Sequence, residues 1–237
     1  MRQPDKHTVE LFRGNKPPRS SRPTLYFERV AMNDGFEVVA GVDEVGRGSL
    51  AGPVVAAAVV LKPGRSIAGL NDSKLLSAEE REKVADRIRR RALAVSVASC
   101  SPNEIDKLNI LWASLEAMRR AVDSLSVRPG YLLIDGNKSV PGIEIPSKTI
   151  ISGDARSRSI AAASIIAKCH RDALMRKLHG EFPDYGWDTN VGYGTAAHYA
   201  ALDEIGPCVH HRRSFRLTTL ETAGVANEQS TLFADEM

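Results

Sequence analysis

The 237-residue chain reads as an α/β protein, a sheet with helices packed on it. Short runs rich in Val, Ile and Ala alternate along it with longer stretches of helical period. Three of the five strand-like runs, ending at 43, 135 and 151, finish at or just before an acid, and open sheets place their ligand sites beyond strand ends. A capping box, Ser77 with Glu80 three residues on, marks one helix start independently of hydrophobicity.

Residues 1–24, with "RGNKPPRSSRPT", have little to bury and read as a basic mobile arm. "VVAGVD" (38–43) and "PVVAAAVVL" (53–61) read as neighbouring strands joined by a glycine-containing bend. A helix follows over 77–92, then a strand at "LAVSVASC" (93–100). Leu111, Leu115, Met118 and Val122 form the apolar stripe of a helix over 110–125. "YLLID" (131–135) and "SKTII" (147–151) are two further strands. The last long helix spans 157–179, where Ala161 to Ser164 are small enough for close approach to a sheet. No internal repeat is visible, and strand order stays open.

All 32 Lys and Arg precede residue 221, whereas Glu221, Glu228, Asp235 and Glu236 follow it, so the body is more basic than the net +3 of the whole chain. This suits a body that meets a polyanion and an acidic flexible tail, 218–237, that does not. Cys100, Cys169 and Cys208 show no CxxC or CxH spacing, which argues for reduced thiols and against a zinc site. The start "MRQPDKHTVELFRG" lacks a signal-peptide core, and no apolar run reaches membrane-spanning length; a cytoplasmic protein is expected.

The chemistry lies at the strand ends. Asp43 and Glu44, Asp135, and Asp154 each terminate or follow a predicted strand. Singly, an Asp beside Gly is ordinary turn chemistry. Together, four carboxylates converging at one sheet edge need a cation, and hard oxygen donors select Mg²⁺ or Mn²⁺ over Zn²⁺. A pair of such ions is the usual apparatus for in-line displacement at phosphorus. "GRGSLAG" is not a dinucleotide loop: its spacing is GxGxxxG, and Pro53 with β-branched residues stands where a helix should begin.

In order and approximate spacing, "GVDEVGRGSLAGPVVAAAVVL", "LNDSKLLS", "LLIDGNK", "SGDARSRSIAAASIIAKCHRD", "VGYGT" and "HHRRSF" resemble bacterial ribonuclease HII over roughly residues 36–217. The resemblance implies a ribonuclease H-like fold, with a mixed central sheet flanked by helices and a small helical C-terminal extension, the catalytic domain running from 25 to 217. It also implies metal-dependent hydrolysis of RNA paired with, or embedded in, DNA. Asp43, Glu44, Asp135 and Asp154 match the family's metal-binding acids, with Mg²⁺ or Mn²⁺ as cofactor. Gly46, Arg47 and Gly48 match the turn that contacts the ribonucleotide 2′-hydroxyl, the group that distinguishes RNA from DNA. Tyr193 matches the tyrosine that packs on the following deoxyribose.

Ser73, Lys74, Lys168 and Arg171 are expected at phosphates, with solvated surface charge as the alternative. Asp172 reads as structural support, and His210 and His211 as contacts to phosphate or backbone. Cys169 stands where the family usually has a branched apolar residue. In the tail, Gln229, Leu232 and Phe233 resemble the peptide with which bacterial DNA enzymes dock on the sliding clamp. The expected partners are thus RNA–DNA hybrid, ribonucleotide-containing duplex DNA and the clamp, the protein itself acting as a monomer. Two alternatives stand beside this reading: ribonuclease HIII, disfavoured by the intact GRG turn, and a hybrid-binding protein with a dead site, disfavoured by all four acids.

Overall fold

The computed structural model describes residue 20 and residues 22–218. The arm up to residue 19 and the tail residues Gln229, Leu232 and Phe233 lie outside the described residues. Five strands, β1 Val39–Val45, β2 Val54–Val60, β3 Ala94–Cys100, β4 Tyr131–Asp135 and β5 Ser147–Ile150, form one mixed sheet in the order β3-β2-β1-β4-β5. β1 pairs antiparallel with β2, and β2 with β3, whereas β1, β4 and β5 run parallel. The described helices are α1 Tyr26–Asn33, α2 Ala78–Arg91, α3 Pro102–Leu108, α4 Ile110–Asp123, α5 Arg158–Glu181, α6 Trp187–Asn190 and α7 Ala196–Ile205.

β2 is buried along its whole length because both of its faces are covered, which is why it reads as an unbroken apolar run. Val54, Ala56, Ala58 and Val60 pack with Leu115 and Met118 of α4. The alternate residues Val55, Ala57 and Val59 pack with Ala162 and Ile165 of α5 and Ile88 of α2. The small residues of α5 let the helix come close: a Cβ on Gly41 would collide with the backbone of Ser159. A separate apolar cluster, built on Met175, Tyr185, Trp187 and Leu202, holds the helical C-terminal extension against Leu50 and Ala51.

The eight predicted elements are present, and the capping box at Ser77 and Glu80 is formed. Two helices were not expected. α3 starts with a second capping box, Ser101 with Glu104. α1 carries a buried acid, Glu28, among its buried residues, which hides its apolar face in the sequence. Topology positions the site: three parallel strands finish at one edge, with Asp43 and Glu44 at the end of β1, Asp135 at the end of β4, and Asp154 in a one-turn 3₁₀ helix, Gly153–Ala155, just after β5.

Candidate active site

Side chains alternate along a strand, so adjacent Asp43 and Glu44 leave β1 on opposite faces. Asp43 is 5% exposed and lies on the α5 side with Val39 and Gly41. Its carboxylate accepts the Glu44 N–H at 2.7 Å. Burial pushes its pKa well above the ordinary value, the charges of Glu44, Asp135 and Asp154 push the same way, and a hydrogen bond from Ser164 opposes them. Glu44 is raised by burial against the pull of Arg47, whose guanidinium lies 3.2 Å away. Asp135 is raised by burial first and by Asp154 among its neighbours, while its Oδ1 accepts the Gly153 N–H at 2.6 Å.

The four expected acids therefore feel one another. They do not form a closed cage: among the described residues no three His, Cys, Asp or Glu side chains are grouped as a metal-binding set. The chain neutralises them only in part, because Lys74 meets Asp154 at 3.0 Å and Arg47 meets Glu44. A set of carboxylate oxygens with uncompensated charge fits a hard divalent cation.

Beside the acids, the segment from Gly46 to Pro53 joins β1 to β2. Gly46 has φ +89°, and a Cβ there would run into the Arg171 guanidinium. Gly48 is exposed and faces Tyr193, which is 37% exposed. The Gly192 carbonyl accepts the N–H groups of Leu50 at 2.8 Å and Ala51 at 3.3 Å, so the tyrosine's loop and the glycine turn are tied together. The structure thus brings Tyr193 beside the Gly46–Gly48 turn.

Arg171 is a correction. It is fully buried and donates to the carbonyls of Pro53 at 3.0 Å, Val191 at 2.9 Å and Ala51 at 3.1 Å, supporting the turn from beneath instead of facing a phosphate. Ser73 is likewise buried, its hydroxyl 2.9 Å from that of Ser164. Lys168 donates to Asp172 at 2.6 Å, and Asp172 also pairs with Arg81, which bears out the structural reading of that acid. Lys74 alone of the four keeps a largely exposed side chain.

Sequence reasoning missed Arg212. It is fully buried and donates to Gly46 at 2.6 Å, Arg47 at 2.9 Å and Gly52 at 3.0 Å, all backbone carbonyls of the turn. Burial and neighbouring Arg171 lower its pKa to about 9, so it remains charged at neutral pH. Below it, His198 and His211 form a neutral pair. The Tyr193 carbonyl lies 2.9 Å from His198 Nδ1, which makes that nitrogen the donor. His198 Nε2 then accepts from Trp187 at 3.2 Å and from His211 Nε2 at 3.0 Å, leaving His211 Nδ1 to accept the Cys208 N–H. His211 accordingly sits at a pKa of about 4, lowered by burial and by His198.

Comparison with known proteins finds matches in both sequence and fold. The family model described as ribonuclease HII matches residues 40–218. A ribonuclease HII of Burkholderia mallei (strain SAVP1) is 60% identical over 196 residues, covering 83% of this chain and 89% of that protein. The ribonuclease H2 structure from Pyrococcus horikoshii OT3 superposes with a TM-score of 0.64 at 27% identity, over 76% of this chain and 94% of that one. Ribonuclease HII from Archaeoglobus fulgidus, solved as a complex with PCNA, gives 0.64 at 26% identity, over 78% of this chain and 99% of that one.

Proposed function

The chain belongs to the ribonuclease HII family, and from that premise we propose that it incises duplex DNA immediately 5′ to an embedded ribonucleotide, leaving 3′-hydroxyl and 5′-phosphate ends. As a family member it is a metal-dependent endoribonuclease acting on the RNA of RNA–DNA hybrids. One observation carries the finer reading: the acids Asp43 and Glu44 and the turn Gly46–Gly48 sit on a single hairpin, and Arg47 bonds directly to Glu44.

Asp43, Glu44, Asp135 and Asp154 would hold two divalent cations, Mg²⁺ or Mn²⁺. When bound, these ions supply positive charge for the attacking water and for the departing 3′-oxygen. The protein's own residues do the rest. Gly46, Arg47 and Gly48 present backbone groups and a guanidinium to the 2′-hydroxyl and its phosphate, and Tyr193 packs on the next sugar, so an RNA-to-DNA step is required. Lys74 contributes a point charge to the phosphate once it leaves Asp154. Lys168 and Ser73 act through Asp172 and Ser164. In the tail, Gln229, Leu232 and Phe233 dock on the sliding clamp; a pull-down in which Leu232→Ala with Phe233→Ala binds clamp normally would remove this assignment.

The deciding experiment is cleavage of duplex DNA carrying one ribonucleotide, with and without Mg²⁺ or Mn²⁺, mapped to the nucleotide. Metal-dependent incision 5′ to the ribonucleotide is expected. Cleavage of long hybrids alone would refute the junction-reading role. Arg47→Ala is expected to lose single-ribonucleotide cleavage selectively.

A further inference from the structure

The helix preceding β1 lies outside residues 40–218, the span the family model matches, yet it grips the candidate site. Just before it, the Thr24 N–H donates to the Arg156 carbonyl at 3.1 Å, and the Arg158 N–H donates to the Thr24 carbonyl at 3.1 Å. Glu28, 3% exposed, then gathers three donors on one carboxylate oxygen: the Ser157 hydroxyl at 2.7 Å, the Ser159 N–H at 2.8 Å and the Ser159 hydroxyl at 2.8 Å. The Arg156 guanidinium lies 5.2 Å from the Phe27 ring centroid.

Every one of these contacts lands on residues 156–159, the link between the Asp154 turn and α5. The turn hangs from that link, because the N–H groups of Arg156 and Ser157 donate to the Gly153 carbonyl at 2.9 and 2.7 Å. Gly153 in turn donates to Asp135. From the other side, Gly41 of β1 presses on Ser159. The first turn of α5 is therefore held between the strand that carries Asp43 and the helix that carries Glu28.

Stability alone does not explain a carboxylate in this place. Burying a charge is costly, and apolar packing would join two segments at least as well. The other oxygen of Glu28 is buried with no hydrogen-bond partner, so the side chain is not optimised as an anchor. What three charge-assisted bonds on one atom do provide is a fixed position for the backbone they hold.

We propose that Glu28 is a positioning residue that fixes Asp154 relative to Asp135 and so sets the affinity of the site for divalent cations. This rests on reading Asp154 as a metal ligand. The test is Mn²⁺ titration of the full chain, followed by the paramagnetic resonance of free Mn²⁺, alongside the Mg²⁺ dependence of cleavage. Glu28→Ala should weaken Mn²⁺ binding about tenfold or more, the scale of losing a residue that orients a ligand, while high Mg²⁺ restores the rate. Glu28→Gln keeps an acceptor oxygen for the three donors and should bind Mn²⁺ nearly as wild type does. Ser159→Ala removes one of the three donors, the Ser159 hydroxyl, while the Ser159 N–H and the Ser157 hydroxyl remain, and should shift affinity in the same direction by less. Wild-type Mn²⁺ affinity in folded Glu28→Ala would overturn the proposal; if that variant does not fold, wild-type affinity in Ser159→Ala would overturn it. Asp154→Asn separates the two claims: weakened Mn²⁺ binding there upholds the ligand reading whatever Glu28 does, and unchanged binding removes that reading and the proposal with it.

Discussion

The edge where β1, β4 and β5 end and the layer beneath the Gly46–Pro53 turn, where Arg171 of α5 meets Arg212 of the extension, are both rich in buried charge, yet they are built on opposite plans. At the strand ends, carboxylates are packed near one another, and among the described residues only Lys74 and Arg47 pair with them. Beneath the turn, the two guanidiniums have no carboxylate partner among the described residues, but backbone carbonyls accept from each of their donor nitrogens, and the histidines beneath them stay neutral. Hydrogen bonding completes the second region within the fold itself. The first keeps a surplus of negative charge, as a site that acts through a cation must.

The largest effect should come from removing the charge surplus. Asp43→Asn is expected to lower cleavage by a factor on the order of a thousand, about 4 kcal/mol of transition-state stabilisation. The same change relieves buried repulsion, so the metal-free variant should melt no lower than wild type. Substantial cleavage in Mg²⁺ would break the contrast at once. Arg212→Ala strikes the other region and should do the reverse. It strands three turn carbonyls, costing about 3 kcal/mol of stability, and should loosen the turn proposed to read the ribose. Arg212→Lys should not rescue it, since an ammonium cannot reproduce the fork. A variant with wild-type melting temperature would show that the turn holds itself.

Acid sharpens the comparison further, because the two regions respond with opposite sign. Asp43, Glu44 and Asp135 have folded pKa values above their unfolded ones. Their contribution to metal-free stability is full below the unfolded carboxylate range and is lost as pH rises through the raised values. His198 and His211 lie below the unfolded value of 6.5, His211 at about 4. Their contribution is full above 6.5 and is lost as pH falls through the folded values. In metal-free Asp43→Asn, where the largest acid contribution is gone, urea midpoints should fall more steeply between pH 6.5 and 4 than in wild type. Parallel profiles would contradict the opposed signs.

The smallest effect belongs to Lys74. Its bond to the buried Asp154 competes with a cation, so Lys74→Ala should tighten Mg²⁺ binding in calorimetry by about fivefold, the upper end of what an ion pair with one exposed partner is worth, about 1 kcal/mol. The same change should weaken binding of hybrid.

These plans differ in how they can be read from sequence. The acid cluster was legible because each carboxylate is announced locally, by an apolar run before it or a turn glycine beside it, and parallel strands bring such ends to one edge. The buried arginines carried no such announcement. Arg212 meets Gly46 across 166 positions, and an arginine in a basic stretch reads as surface charge unless its carbonyl partners are known. Arg171 was misplaced for the same reason. Glu28 was hidden differently: a polar residue in a short helix gives no hint that it turns inward to the start of another helix. α3 did announce itself, through the Ser101 and Glu104 capping box. It was overlooked because α4 begins two residues after it ends, leaving no loop between the two.

The hairpin that carries both Asp43 and Arg47 makes the enzyme a ruler whose zero and first mark are cut into the same bar. Three residues of chain stand between the acid and the arginine, and the antiparallel register beneath them is locked by a fully buried β2. On the proposed reading, the offset between the sugar that is recognised and the bond that is broken is counted in covalent bonds. No hinge between domains can stretch it, and a residue inserted between Val45 and Val54 would recalibrate recognition and incision together.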